Sequence, residues 1–246
     1  MRHGIASVRE QLWLLGHDDY GDLRPVIDRR ALGIGLAAAA LVDLLLQGLI
    51  EVKHGLICRS SEALDDPGVY RTSEALGLAD DPIGSEILSF LGRGPAPRLA
   101  EVLRESRAEP FGTTRTPFQR MYRRTRAGLV KAGRLEEEHR RLLPNLYRLT
   151  NSTVIPAIRG QFNHRLAMYH KAGADLAMDS LLALVWALNL HSKLPMPYSP
   201  SEADPILLAI TDQIAGTAGT GSPLTVVPDL AHLVRNTIGD LATAAF

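Results

Sequence analysis

The sequence has few of the features that mark secreted or low-complexity proteins. Its 246 residues include a single cysteine, Cys58, so no disulfide framework can form within the chain. The first residues lack the continuous apolar run of a signal peptide, and no low-complexity tract interrupts the chain. Apolar residues make up 46% and charged residues 22%, close to the average for globular proteins. These features predict a protein of the reducing cytoplasm.

Motifs that would identify a catalytic, metal or cofactor site are also lacking. His164 and His170 lie six residues apart, which places them on different faces of a helix and not at the spacing of zinc ligands. The glycine-rich segment 216–222 has no following lysine, as a phosphate-binding loop would require. No Gly-x-Ser-x-Gly motif is present. We therefore expect no bound metal and no cofactor, and the sequence identifies no catalytic residues.

One acidic cluster, Asp18, Asp19 and Asp22, lies in the first turn-rich segment. Neighbouring carboxylates can hold Mg²⁺ on a diphosphate, as aspartate-rich helices do in isoprenoid enzymes. Here the three residues share their segment with glycine, and aspartate and glycine are ordinary turn formers. A solvated turn is therefore the favoured interpretation.

One apolar stretch is nearly long enough to cross a bilayer. Residues 32–50 number 19, and a spanning helix needs about 20. The stretch contains Asp43 and Gln47, however, and an aspartate near the bilayer centre costs roughly 2.5–3.5 kcal/mol. We expect a buried helix of a bundle, in which Asp43 has a hydrogen-bonding partner or lies near water at the helix end.

Turn residues and apolar periodicity predict a single, mainly α domain over residues 1–246, in which short β-hairpins accompany central apolar helices. The first helix begins near Val8, after the capping pattern of Ser7 and Glu10. His54-Gly55 marks a hairpin between residues 50–53 and 56–59. A helix over 116–132 is followed by a second hairpin, 135–138 with 146–149. The central helices include residues 31–46 and 180–190.

The net charge is zero, but its distribution is uneven. Residues 98–148 hold 13 Lys/Arg against 6 Asp/Glu, a net of +7, whereas residues 1–97 hold 9 against 14, a net of −5. Such asymmetry suggests an anionic partner.

The positive charge is concentrated in the predicted helix 116–132. The candidate phosphate-binding residues are Arg115, Arg120, Arg123 and Arg124. The spacing of the last three predicts one shared helix face, and guanidinium groups match phosphate geometry. The alternative is a solvated face whose charges pair with Glu136, Glu137 and Glu138.

Two segments resemble the Golgi phosphoprotein 3 family. Residues 10–52 contain a short apolar helix, an acidic turn, a long apolar helix that ends at Gly48, and a strand. Residues 128–135 (Gly-Leu-Val-Lys-Ala-Gly-Arg-Leu) resemble the end of the family's central helix. The resemblance implies a bacterial-type relative of peripheral membrane adaptors that bind phosphoinositide headgroups.

The phosphoinositide site that the resemblance implies is only partly retained. The family has a tryptophan before the long apolar helix, an arginine after its Gly-Leu, and an arginine pair on the central helix. Gly35-Leu36 is retained, but the arginine position holds Ala37 and the tryptophan position falls close to Asp28. The arginine pair falls on Gln119 and Tyr122, one residue from Arg120 and Arg123. The resemblance therefore supports the fold more strongly than phosphoinositide specificity.

Three functions remain open. The first, which the resemblance implies, is a cytoplasmic module that associates reversibly with membranes by binding anionic lipid headgroups through the basic helix. The second is a cyclase-like biosynthetic enzyme that binds a small apolar molecule inside the helical bundle. The third is a winged-helix nucleic-acid binder, which the long apolar helices disfavour. The sequence does not indicate an oligomeric state or the particular lipid.

Overall fold

The computed structural model describes residues 7–19, 21–60, 81–107, 115–142, 144–171 and 173–243. Helices dominate these residues, which confirms the prediction of a mainly α fold with short hairpins. The α-helices are α1 (Val8–Leu15), α2 (Arg29–Leu46), α3 (Pro82–Leu91), α4 (Leu99–Ser106), α5 (Met121–Lys131), α6 (Val154–Ala167), α7 (Leu176–Ala187), α8 (Pro200–Ala218) and α9 (Val227–Thr243). Short 3-10 helices cover Leu190–Lys193 and Pro223–Val226. The strands are β1 (Ile50–Lys53), β2 (Leu56–Arg59), β3 (Leu135–Glu138) and β4 (Leu146–Leu149).

Helix α2 is the central element of the bundle. Every residue from Ala31 to Leu45 is buried, because helices α1, α4, α5, α7 and α9 pack around it. Its first turn is capped by Asp28, whose carboxylate accepts hydrogen bonds from the backbone N–H groups of Arg30 (2.8 Å) and Ala31 (3.2 Å). Among the described residues, no helix is both long enough and apolar enough to cross a membrane.

Helix α7 is buried from Met178 to Ala187, and it approaches α2 closely where α2 carries a glycine. A Cβ atom added to Gly35 would lie 2.7 Å from Cδ1 of Leu188, the residue that follows α7. Glycine at this position therefore lets the helices pack at a distance that a larger residue would not allow.

The two sheets are separate antiparallel hairpins, at both places where the sequence predicted them. In the first, Ile50 pairs with Arg59, and the tip residues His54 and Gly55 both have positive φ angles (53° and 76°). In the second, Leu135 pairs with Leu149, directly after helix α5. Because β3 packs against α5, this hairpin extends the basic part of the chain as one unit.

The start of the basic helix differs from the prediction. The helix begins at Met121, five residues after Thr116, and Arg120 has a left-handed backbone with φ = 57°. The preceding residues form turns in which Gln119 Oε1 accepts a hydrogen bond of 2.8 Å from the backbone N–H of Arg115. Phe118 is fully buried in the same turn. Burial of this ring and the local side-chain hydrogen bond favour a turn over an additional helical turn.

Candidate anion-binding surface

The predicted phosphate-binding arginines have different surroundings in the structure. Arg115 and Arg123 are exposed, whereas Arg120 and Arg124 are half-buried. Because Arg120 precedes the first helical residue, it does not continue the regular helix face that the sequence predicted. The four arginines nevertheless lie along helix α5 and the turn before it.

Arg124 has the clearest structural role of the four. Its guanidinium donates to the backbone carbonyl of Pro117 and forms an ion pair with Glu86 of helix α3. The side chain is 20% exposed, so the pair is partly shielded from water. A lipid phosphate at Arg124 would have to compete with the Glu86 carboxylate.

A second pair of arginines, not assigned to the site by sequence, meets at Tyr122. The guanidinium carbon of Arg29, at the start of α2, lies 5.7 Å from the centre of the Tyr122 ring, and that of Arg126 lies 5.8 Å from it. Both distances are within the range of cation–π attraction. Arg126 belongs to the basic run, but its spacing places it off the Arg120 face. Arg29 is 97 positions away in sequence, so no local pattern could have joined the two.

A buried histidine holds Tyr122 in place. His17 is fully buried and stacks on Trp13, with ring centres 3.7 Å apart. Its Nδ1 lies 2.6 Å from the carbonyl oxygen of Trp13, and its Nε2 lies 2.8 Å from the hydroxyl oxygen of Tyr122. Burial lowers the pKa of His17 to about 4, and the nearby charges of Arg126 and Arg29 act in the same direction.

His17 is therefore neutral at pH 7, which decides the direction of both hydrogen bonds. A carbonyl oxygen only accepts, so Nδ1 carries the proton and donates to Trp13, and Nε2 accepts from the Tyr122 hydroxyl. The uncharged His17 therefore fixes the Tyr122 ring, over which the two guanidinium groups lie.

The tip of the second hairpin carries an exposed apolar side chain among positive charges. Leu142 is 95% exposed, and its neighbours Arg140 and Arg141 are half-buried and exposed, respectively. Arg140 and Arg148 lie 3.8 and 3.3 Å from carboxylate oxygens of Glu138. An exposed leucine that directly follows two arginines is suited to a surface that is both apolar and anionic.

The base of this tip is held by a carboxylate. Glu137 accepts hydrogen bonds from the Tyr147 hydroxyl (2.5 Å) and from Nδ2 of Asn145 (2.7 Å). These two bonds lower the pKa of Glu137, so the carboxylate is ionised at neutral pH. The arginines that pair with Glu138 are Arg140 and Arg148 of the hairpin, whereas the alternative considered from the sequence concerned the charges of the basic helix.

The acidic cluster has structural contacts. Asp18 accepts a hydrogen bond of 2.8 Å from the backbone N–H of Arg24, and Asp22 pairs with the Arg24 side chain at 3.3 Å. Asp19 forms a 3.0 Å ion pair with Arg159 of helix α6 and is 25% exposed, so it is less solvated than predicted. Within the described ranges, no group of three His, Cys, Asp or Glu residues could hold a metal ion.

A cleft lies beside the first hairpin, which follows the C-terminal end of helix α2. It has a volume of about 570 Å³ between the first hairpin and helices α4 and α9, with walls that include His54, Arg98, Leu99, Asp229 and Leu233. The 18 residues of α2 separate its two ends by about 27 Å, so this cleft is remote from Arg29. Neither Asp18 nor Asp19 lines it, which removes them as carboxylates of an active site there.

Comparison with protein families identifies the class of the protein. The Golgi phosphoprotein 3 (GPP34) family profile matches residues 8–226, most of the chain, and thus includes both the basic helix and the second hairpin. The chain belongs to the Golgi phosphoprotein 3 family. Among curated proteins, none matches the chain.

Proposed function

We propose that the protein is a peripheral membrane module that binds the phosphate of anionic lipid headgroups. The observation that carries this proposal is the position of Leu142, which is 95% exposed at the tip of a hairpin that continues directly from the basic helix α5. Membership of the Golgi phosphoprotein 3 family supports the same function.

Two weak attractions would act together at this surface. Burial of one leucine side chain contributes about 1.5–3 kcal/mol, and each arginine near an anionic membrane contributes about 1 kcal/mol. Neither contribution alone holds a protein on a membrane stably. If the hairpin tip inserts Leu142 while α5 faces the headgroups, the two attractions act together and allow reversible association with the membrane.

The proposed phosphate ligands are the residues selected from the sequence together with the pair at Tyr122. They are Arg115, Arg120, Arg123, Arg124, Arg29 and Arg126. We expect Arg124 to contribute least, because its guanidinium is paired with Glu86.

The positions implied by the family resemblance hold no cation here. Asp28 caps helix α2, Ala37 is fully buried, Gln119 accepts a hydrogen bond from Arg115, and Tyr122 donates to His17. Specificity for a phosphoinositide would therefore require other residues. For this reason the proposal is limited to anionic lipid phosphate.

Vesicle flotation tests the proposed function. Vesicles of phosphatidylcholine alone would be compared with vesicles that also contain phosphatidylglycerol, each at low and high salt. We expect binding only to the anionic vesicles, weakened by salt because exposed charges are screened within about 10 Å at 0.1 M. Absence of binding to anionic vesicles at low salt would overturn the proposal.

The remote cleft supports a second candidate function, the binding of a small molecule. Its volume of about 570 Å³ is in the range of ligand sites, and its walls combine the apolar Leu99 and Leu233 with the charged Arg98 and Asp229. This lining is more polar than the apolar interior pocket predicted for a cyclase-like enzyme. A thermal-shift screen with small organic acids, using Arg98→Gln as the control, tests it.

A further inference from the structure

Arg126 lies between the two parts of the proposed membrane-binding surface. Its guanidinium carbon is 4.1 Å from the centre of the Tyr147 ring in strand β4 and 5.8 Å from that of Tyr122 in its own helix. Burial is the main cause of the lowered pKa of His17, and the hydrogen bonds from Tyr147 and Asn145 are the main causes of the lowered pKa of Glu137. The charge of Arg126 acts in the same direction on both pKa values. The Arg126 side chain therefore contacts both Tyr122 and the hairpin.

A chain of contacts leads from Arg126 to the hairpin tip. The guanidinium stacks on the ring of Tyr147, and the hydroxyl of that tyrosine donates to Glu137. Glu137 also accepts from Asn145, which lies in the loop that carries Leu142. The orientation of the loop therefore depends on contacts that begin at Arg126.

A guanidinium can stack on an aromatic face and bind a phosphate at its edge simultaneously, because the two interactions use different parts of the group. A phosphate bound to Arg126 would restrict the guanidinium to one position over Tyr147. A hairpin whose tip is inserted would restrict Tyr147 in turn. Phosphate binding therefore removes part of the conformational freedom that insertion of the tip would otherwise have to restrict, and insertion does the same for phosphate binding.

We infer that Arg126 is a positioning residue that couples headgroup binding to insertion of the hairpin tip, so that each increases the affinity of the other. The inference rests on the proposed function and adds to it an energetic coupling between headgroup binding and tip insertion. The link acts through the stacking of Arg126 on Tyr147, and thus depends on the planar guanidinium as well as on its charge.

A double-mutant cycle on the full chain tests this coupling. Partitioning onto phosphatidylglycerol-containing vesicles would be measured for the wild type, Arg126→Gln, Leu142→Ser and the double variant. We expect the product of the two single-variant fold-losses in partitioning to exceed the fold-loss of the double variant by about fivefold. For independent sites, the product and the fold-loss of the double variant agree within about twofold.

The matched control replaces Arg123, which removes the same charge from the same helix. The cycle of Arg123→Gln with Leu142→Ser should be multiplicative within about twofold. Arg126→Lys retains the charge without the planar group, and it should lose most of the coupling. Circular dichroism and thermal unfolding of each variant would verify that the fold is intact.

A second measurement does not depend on vesicle partitioning. Amide hydrogen exchange of Leu135–Glu138 and Leu146–Leu149 would be compared without addition, with glycerol phosphate and with phosphatidylglycerol-containing vesicles, in the wild type and in Tyr147→Leu. We expect added phosphate to slow exchange in the hairpin of the wild type only. Slower exchange with glycerol phosphate would assign the effect to the phosphate group, and an effect seen only with vesicles would assign it to the lipid surface.

The outcomes separate the inference from the proposed function. If the wild type does not bind anionic vesicles, the proposed function fails. If it binds but the Arg126 cycle is multiplicative like the Arg123 cycle, and the hairpin exchange does not respond to either phosphate source, the coupling is overturned and the proposed function stands.

Discussion

The carboxylate of Asp43, in helix α2, accepts a hydrogen bond of 2.8 Å from the backbone N–H of Val8, the first residue of helix α1. It also accepts from the backbone N–H of Arg9 at 3.2 Å, while Ser7 accepts from Glu10. One buried helix therefore caps the start of another, and three N–H groups that helix geometry leaves without partners are satisfied. This confirms the prediction that Asp43 has a hydrogen-bonding partner within the bundle.

Replacement of Asp43 by Leu should destabilise the protein by about 2–4 kcal/mol. Each buried N–H left without an acceptor costs about 1–3 kcal/mol, and burial of the leucine offsets part of that cost. Asp43→Asn retains one acceptor and should lose only about 1 kcal/mol. Urea unfolding measures both changes. Equal stability of Asp43→Leu and the wild type would show that the cap contributes little.

Asp43 and His17 should have opposing effects on the stability of the wild type between pH 4 and 6. Burial raises the pKa of Asp43 from 3.8 to about 6, so its contribution to stability falls as pH rises through this interval. Burial lowers the pKa of His17 from 6.5 to about 4, so its contribution rises with pH over nearly the same interval. Each shift corresponds to about 3 kcal/mol.

Single variants should reveal these opposing contributions. Asp43→Asn should lose stability as pH falls from 6.5 to 4, because His17 still has to be protonated on unfolding. His17→Gln should instead gain stability over the same range. Urea titrations at several pH values measure the slopes. If the stability of the two variants changed with pH in parallel, the assignment of a raised pKa to Asp43 and a lowered pKa to His17 would be contradicted.

Gly35→Ala should destabilise the protein by about 1–3 kcal/mol, since the added methyl group would lie 2.7 Å from Cδ1 of Leu188 in a packed interior. Gly160→Ala provides the matched control. Gly160 lies exposed within helix α6 and has open space around its Cα, so alanine there should stabilise by about 0.5–1 kcal/mol. Thermal unfolding of the two variants should therefore shift in opposite directions.

Local features of the fold were predictable, because their causes lie within a few residues. Ser7 caps α1 by accepting a hydrogen bond from the backbone N–H of Glu10, and His54 and Gly55 form the first hairpin turn. The start of α5 was predicted too early, because burial of Phe118 depends on the rest of the bundle.

The arrangement around Tyr122 could not be predicted from sequence patterns. His17 and Tyr122 are 105 positions apart, and their hydrogen bond depends on how α1 packs against α5. The basic character of α5 was visible as a charge run. Which of its arginines are paired, as Arg124 is with Glu86, depends on the position of α3 in the folded chain.

The triple variant Arg120→Gln, Arg123→Gln, Arg124→Gln should bind phosphatidylglycerol-containing vesicles about a hundredfold more weakly, at about 1 kcal/mol for each arginine. Of the three single variants, Arg124→Gln should reduce binding least and stability most, because it breaks the pair with Glu86. Flotation and thermal unfolding measure the two effects. An unchanged affinity of the triple variant would exclude this arginine set from the lipid site.

Leu142→Ser should weaken vesicle binding by about tenfold to a hundredfold, the equivalent of burying one leucine side chain. The direct part of this loss should be the same at low and high salt, because transfer of an apolar side chain does not depend on screening. Only the part coupled to Arg126, about fivefold, should decrease at high salt. The arginine variants should lose most at low salt, so the two classes of variant differ in their salt dependence. Stability should be unaffected, because the side chain is 95% exposed. If Leu142→Ser binds like the wild type at both salt concentrations, the tip does not insert, and electrostatic attraction alone holds the protein on the vesicle.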